Sequence, residues 1–196
     1  ITLKKDTRTL CIANQGEVFG VEGIRSLMIS GLSTKTTKQY IGNKGLGFRS
    51  VLNWSKEIEI RSNSCRISFS PEIAQAEFFR LLPEKRDRDA LIKSRNLSIA
   101  AIPFSILAIP EVTIDDSQSD YWSTVIELRY DSEYATEITN QLEGFTSEIL
   151  LFVKKIKKVI IVGCTDDDLV FERGDSKTFE DKYEIITVDD RDWQII

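Results

Sequence analysis

Residues 57–70, EIEIRSNSCRISFS, alternate apolar and polar side chains in two runs separated by Asn63-Ser64. Strict alternation is the period of a β-strand, because successive side chains point to opposite faces. Two such runs joined by a short polar turn read as a β-hairpin. A hairpin is an antiparallel unit, so a fold built on it departs at once from a doubly wound parallel sheet.

The rest of the chain supplies partners for that hairpin. ITLKK and TRTLCIAN are short strand-like runs joined by Asp6-Thr7, and NQGE at 14–17 is a turn signal. Phe19, Ile24, Leu27 and Met28 form an apolar stripe near helical period, which predicts a helix over 21–30. A second helix is expected from Gly47, carrying Phe48, Val51, Leu52 and Trp54 toward the core. A third is expected over 71–82, with Ser70 as cap and Pro71 in the first turn. EKRDRDALIKSR reads as a charged, exposed segment, and AAIPFSILAIPEV as an apolar loop packed on the core, broken by its prolines. STVIELRY is a strong strand, and residues 132–142 and 145–155 read as two helices, the second with Ile149, Leu150, Phe152, Val153 and Ile156 as a buried face. KKVIIVGC, LVFER and YEIITV are strands separated by acidic turns, with WQII as the start of another. Asp166–Asp168 and the group Asp189, Asp190 and Asp192 read as hairpin turns, because the spacing of a calcium loop is missing. Irregular alternation with prominent hairpins predicts an α+β fold, a two-layer α/β sandwich with a mixed, mainly antiparallel sheet and helices on one face. Residues 1–131 are read as its core and 132–196 as a helical and β-strand extension packed on the same domain.

Composition narrows the chemistry. The 196 residues contain no histidine, which removes Ser-His-Asp and Cys-His nucleophiles, histidine metal sites and histidine acid–base chemistry. Cys11, Cys65 and Cys164 are odd in number and lie in apolar runs, which reads as buried thiols in a reducing, cytoplasmic setting. No apolar run approaches the ~20 residues of a membrane span. The N-terminus has neither an initiator Met nor a signal-peptide core, and reads as a piece of a longer protein. The net charge of −5 argues against a general nucleic-acid binder.

Against that acidic background, the stretch from Gly31 to Lys56 holds Lys35, Lys38, Lys44, Arg49 and Lys56 and no Asp or Glu. In its middle lies YIGNKGLGFRSVLNW, with Gly42, Gly45 and Gly47 preceding an apolar run of helical spacing. Glycines that lead into a helix let backbone N–H groups converge on an anion, and the helix N-terminus adds partial positive charge. Lys44 and Arg49 would add full charges. The pattern is not a P-loop, since Phe48-Arg49 stands where Lys-Ser/Thr is required. Nor is it a dinucleotide fingerprint, since a polar loop precedes it rather than a hydrophobic strand.

A third arrangement does match. Asn14-x-Gly16 ends a strand, Gly42-x-x-Gly45-x-Gly47-Phe48-x-Ser50-Val51 follows, then the hairpin, then a strand with Ser123-Thr124. This order resembles the ATP-binding domain shared by gyrases, heat-shock chaperones, histidine kinases and mismatch-repair ATPases (the GHKL superfamily, with its Bergerat-type fold). ANQGEVF, SGLSTK, IGNKGLGFRSV, AAIPFSI and EILLFVKKIKKVIIV resemble its sacsin-like branch. The resemblance implies that Asn14 accepts from the adenine amino group, where many relatives have Asp, and that Gly16 lets the base lie near the backbone. It further implies that Ser33, Thr34 and Lys35 belong to a lid, and that Gly42, Lys44, Gly45, Leu46, Gly47 and Phe48 wrap the phosphates. Thr124 would reach the adenine, partly through water.

ATP and Mg²⁺ are the implied ligands, with lid closure driving a conformational change or homodimerisation within a longer, multidomain protein. The superfamily's general base and Mg²⁺-holding Asn stand on a helix before the Asn14 strand, and ITLKK already reads as the strand after it. Either those residues lie upstream of Ile1, making an ATPase, or the chain binds nucleotide without hydrolysing it. An alternative from another class is an interaction module whose basic loop over 35–56 grips a polyanion such as nucleic acid.

Overall fold

A computed structural model of the chain describes residues 1–29, 47–98, 102–115, 121–179 and 183–195. The fold is α+β with antiparallel sheets. In chain order the elements are β1 (Thr2–Lys4), β2 (Thr9–Asn14), α1 (Val21–Met28), a 3-10 helix (Gly47–Asn53), β3 (Ser55–Ser62) and β4 (Cys65–Phe69). Then come α2 (Pro71–Leu81), α3 (Lys85–Ser94), a 3-10 turn (Ile106–Ala108), β5 (Glu111–Ile114) and β6 (Thr124–Tyr130). The C-terminal third holds a 3-10 turn (Ser132–Tyr134), α4 (Ala135–Glu143), α5 (Ile149–Phe152), β7 (Lys158–Ile161), β8 (Leu169–Phe179), β9 (Tyr183–Val188) and β10 (Arg191–Ile195). The chain divides into two compact units, one of Cys11–Asp131 and the other of Ile1–Leu10 with Ser132–Ile196. Among the described residues, no helix is long and apolar enough to cross a membrane.

In the Cys11–Asp131 unit the sheet order is β2-β6-β3-β4-β5. Alternation along β3, β4 and β6 buries Ile58, Ile60, Ile67, Phe69, Leu128 and Tyr130 on one face. The other face carries Arg61 beside Glu127 (3.0 Å) and Arg66 on Asp115 (2.7 Å), so only the apolar face requires cover. Leu27 of α1, Ala74 and Phe78 of α2 and Ile92 of α3 are the buried helical residues. The hairpin pairs Ser62 with Cys65 across Asn63 and Ser64, both in the left-handed region at φ +52° and +57°. Two left-handed residues give the turn whose twist suits a two-residue hairpin, and Asn tolerates that region better than most residues.

One expectation changes here and two gain an element. The helix from Gly47 is a 3-10 helix ending at Asn53, with the Trp54 amide donating to Val51 O at 3.0 Å. The charged segment 84–95 is a helix, fixed to the end of α2 by Arg88, whose Nη1 donates to Leu82 O and Pro83 O at 2.6 Å each. The loop through the prolines does pack on the core, with Leu107 fully buried and Phe104 edge-on to Phe78, but it then yields β5. β5 starts directly after Pro110 and lies at the sheet edge, where a preceding proline costs no ladder hydrogen bond.

The expected cap on α2 is present: Ser70 Oγ accepts from the Ile73 amide at 3.2 Å, with Pro71 opening the helix. A hydrogen bond from Ser70 also holds the Glu72 carboxyl below its ordinary pKa. Ser70→Ala is expected to lower stability by about 1 kcal/mol, read as a shift in a urea-unfolding midpoint.

The second unit holds an antiparallel sheet of order β10-β9-β8-β7. Leu150, Leu151, Ile186 and Val188 form its core, with Val153, Val159, Phe171, Trp193 and Ile195 packed around them. Asp189 and Asp190 make the β9–β10 turn at φ +47° and +61°, and the Asp166–Asp168 stretch links β7 to β8. The helix expected over 145–155 shrinks to the single turn of α5, and Ile149, Phe152 and Ile156 are exposed rather than buried. Tertiary bonding takes the carbonyls beyond that turn, because Arg173 Nη1 donates to Lys154 O (2.8 Å) and the Arg173 amide to Lys157 O (2.7 Å). All three cysteines are free thiols, but only Cys164 is buried; Cys11 and Cys65 are half-buried.

Candidate functional site

The Asn14–Gly16 turn leaves the end of β2 and is fastened to the start of β6. The Ser123 amide donates to Asn14 O at 3.0 Å, and the Gly16 amide donates to Ser123 Oγ at 3.2 Å. Gly16 has φ +140°, a conformation that L-residues rarely adopt, while a Cβ there would meet only Asn14 Nδ2 at 4.0 Å. Its glycine is required by the backbone rather than by crowding. Asn14 is exposed, and its Nδ2 donates to Gln15 O at 3.4 Å, which leaves Oδ1 as an acceptor on the surface.

Thr124 is the first residue of β6 and faces Ser62, the last of β3, across the sheet. It is 5% exposed and Ser62 is 1% exposed, so both hydroxyls are polar groups inside the apolar layer. Thr124 Oγ1 lies 2.9 Å from Ser62 Oγ. Ser62 Oγ also donates to Ser123 O at 2.8 Å and accepts from the Phe19 amide at 2.8 Å. Buried hydroxyls are stable only when bonded in this way.

Gly47 opens the 3-10 helix and is exposed. Among the described residues nothing lies within 4 Å of the Cβ that a side chain would add, and its φ is outside the left-handed region. Phe48 is half-buried. Arg49 differs from expectation: its Nη2 donates to Leu27 O at 2.6 Å, so the guanidinium ties the 3-10 helix to the last turn of α1. Lys56 is exposed. Ser33, Thr34, Lys35, Lys38, Gly42, Lys44, Gly45 and Leu46 lie outside the described residues.

The fold therefore brings together Asn14, Gly16 and Thr124, the residues implied at the base. Ser62 was missed by the sequence reading, and Ser123 was named there beside Thr124 but given no role. A signal for Ser62 existed: in the alternation Ile58, Ile60, Ser62, a hydroxyl stands where the pattern calls for an apolar side chain. Among the described residues no group of three or more His, Cys, Asp or Glu could hold a metal ion.

No family model matches the chain. Protein NO VEIN of Arabidopsis thaliana is 29% identical over 163 residues, which cover 79% of this chain and 5% of that protein. The chain thus spans about a twentieth of the length of this curated relative.

Proposed function

We propose that residues 11–131 form an adenine-nucleotide-binding module of the GHKL type, sacsin-like, working within a longer multidomain protein. The observation that carries this reading is the joining of Asn14–Gly16 to Ser123–Thr124, over a hundred residues apart, by the Gly16–Ser123 and Ser123–Asn14 hydrogen bonds. Those are the two segments through which such a domain would hold its base. The donor set fits an adenine: Asn14 Oδ1 is an exposed acceptor, and Gly16 leaves the neighbouring backbone uncovered. Gly47, which no described residue approaches on its Cβ side, suits a phosphate contact, and the reading adds Gly42, Lys44, Gly45, Leu46 and Phe48, under a lid that includes Ser33 and Lys35.

Mg²⁺ accompanies the nucleotide in this reading, and none of the residues named above would hold it. Hydrolysis requires a general base and a metal-holding Asn from sequence upstream of Ile1; without them the module binds and closes only. Closure is proposed to drive a conformational change or homodimerisation in a reducing, cytoplasmic setting.

The test is calorimetric titration of the chain with ATP and ADP in the presence of Mg²⁺. Micromolar to sub-millimolar binding is expected, and no detectable heat, even with the upstream sequence attached, sinks the proposal. The polyanion reading makes the opposite forecast: binding that weakens steeply with salt and depends on Lys35, Lys38 and Lys56 more than on Gly47.

A further inference from the structure

We propose that Ser62 sets the base preference of this site, as a positioning residue that fixes the Thr124 hydroxyl in the acceptor role. The inference rests on the nucleotide reading above and goes beyond it by assigning discrimination to a residue buried under the site.

A serine hydroxyl has one proton to donate and two lone pairs with which to accept. Ser62 Oγ is 2.8 Å from Ser123 O, a group that can only accept, so its proton goes there. The Phe19 amide, 2.8 Å away, can only donate, and fills one lone pair. The contact with Thr124 Oγ1 at 2.9 Å then has one consistent polarity: Thr124 donates to the remaining lone pair of Ser62. Both hydroxyls are buried, at 1% and 5% exposure, so reversing the chain would set the lone pair of one against the Ser123 carbonyl oxygen.

Thr124 therefore has lone pairs but no proton to offer a ligand. A 6-amino purine supplies the proton that such an oxygen needs, whereas a 6-oxo purine sets oxygen against oxygen. Asn14 cannot enforce this choice as firmly. Its amide is exposed and held by one long bond to Gln15 O (3.4 Å), so exchanging Oδ1 and Nδ2 costs little. The polarity of Thr124, in contrast, is set by a partner that cannot turn. A site built to bond one polar pattern rejects its inverse far more strongly than an apolar pocket rejects an extra methylene.

The experiment titrates the intact 196-residue chain with ATP, inosine triphosphate and purine-riboside triphosphate, with Mg²⁺. The expected order is ATP, then the unsubstituted purine, then inosine triphosphate, with ATP at least about tenfold tighter than inosine triphosphate. In Ser62→Ala, Thr124 regains a free proton, so inosine triphosphate binds more tightly and ATP more weakly, and their ratio approaches one. Thr124→Ser keeps the hydroxyl and its partner and keeps the ratio. A purely structural role for Ser62 would weaken both nucleotides alike, leaving the ratio unchanged, and that result overturns the inference. If Ser62→Ala does not fold, the wild-type series still decides: equal affinity for ATP and inosine triphosphate means that water relays the contact and overturns it. Absence of any nucleotide binding removes the functional reading itself, whereas ATP binding without discrimination removes this inference alone.

Discussion

Gly47→Ala is expected to weaken ATP binding about tenfold or more while leaving the melting temperature unchanged or slightly raised. Gly47 has no left-handed φ, and among the described residues nothing stands within 4 Å of an added Cβ. Among the described residues there is therefore no steric or backbone objection to alanine, and a helical position loses less entropy with alanine than with glycine. If a phosphate approaches the backbone here, a methyl group keeps it away from the amides. Titration calorimetry and thermal unfolding on the same sample separate the two effects. Unchanged affinity would remove Gly47 from the phosphate contacts, and a large fall in melting temperature would mean the fold needs this glycine after all.

Gly163→Ala is expected to do the reverse, destabilising the unit formed by residues 1–10 and 132–196 by about 2–4 kcal/mol. Gly163 follows β7 at φ +84°, and a Cβ there would strike the Leu3 backbone carbonyl closer than real side chains approach. That carbonyl cannot simply move aside. β1 runs against this segment, with the Leu3 amide donating to Val162 O at 2.8 Å and the Val162 amide to Ile1 O at 2.9 Å. Relief of the clash would break those bonds, on top of the cost of a left-handed alanine. A drop of roughly 5–15 °C in the melting temperature of the 196-residue chain is the expected reading. A change under about 2 °C would show that the segment shifts freely and that the close approach is not fixed.

The contrast between these two glycines shows how much was legible in the residues alone. The cluster at Gly42, Gly45 and Gly47 stood out by density, whereas Gly163, in the run KKVIIVGC, looked like a residue inside a strand. Its requirement comes from Leu3, some 160 residues away, and no local pattern records that meeting. The hairpin was legible down to its turn, because Asn63-Ser64 and the alternation on either side are local properties. So was the α2 cap, since Ser70 and Pro71 act within one turn of themselves. The exposure of segment 84–95 was legible but its helix was not, and β5 was not read at all. A highly charged run forms a helix whose Arg88 reaches back to the Leu82 and Pro83 carbonyls after α2, and a proline-flanked run forms a strand at the sheet edge.

The sequence by itself determined the elements whose cause is short-ranged: period-two strands, a capped helix and a two-residue hairpin turn. It also excluded histidine chemistry outright. Only the tertiary structure decided that Arg49 serves α1 through Leu27 O, and that α5 is one turn long. It alone placed a buried serine under Thr124. Hydrogen-bond polarity is the reason. The direction in which the Thr124 proton points depends on Ser62, Phe19 and Ser123 at once, and those four residues meet only when β3 and β6 pair.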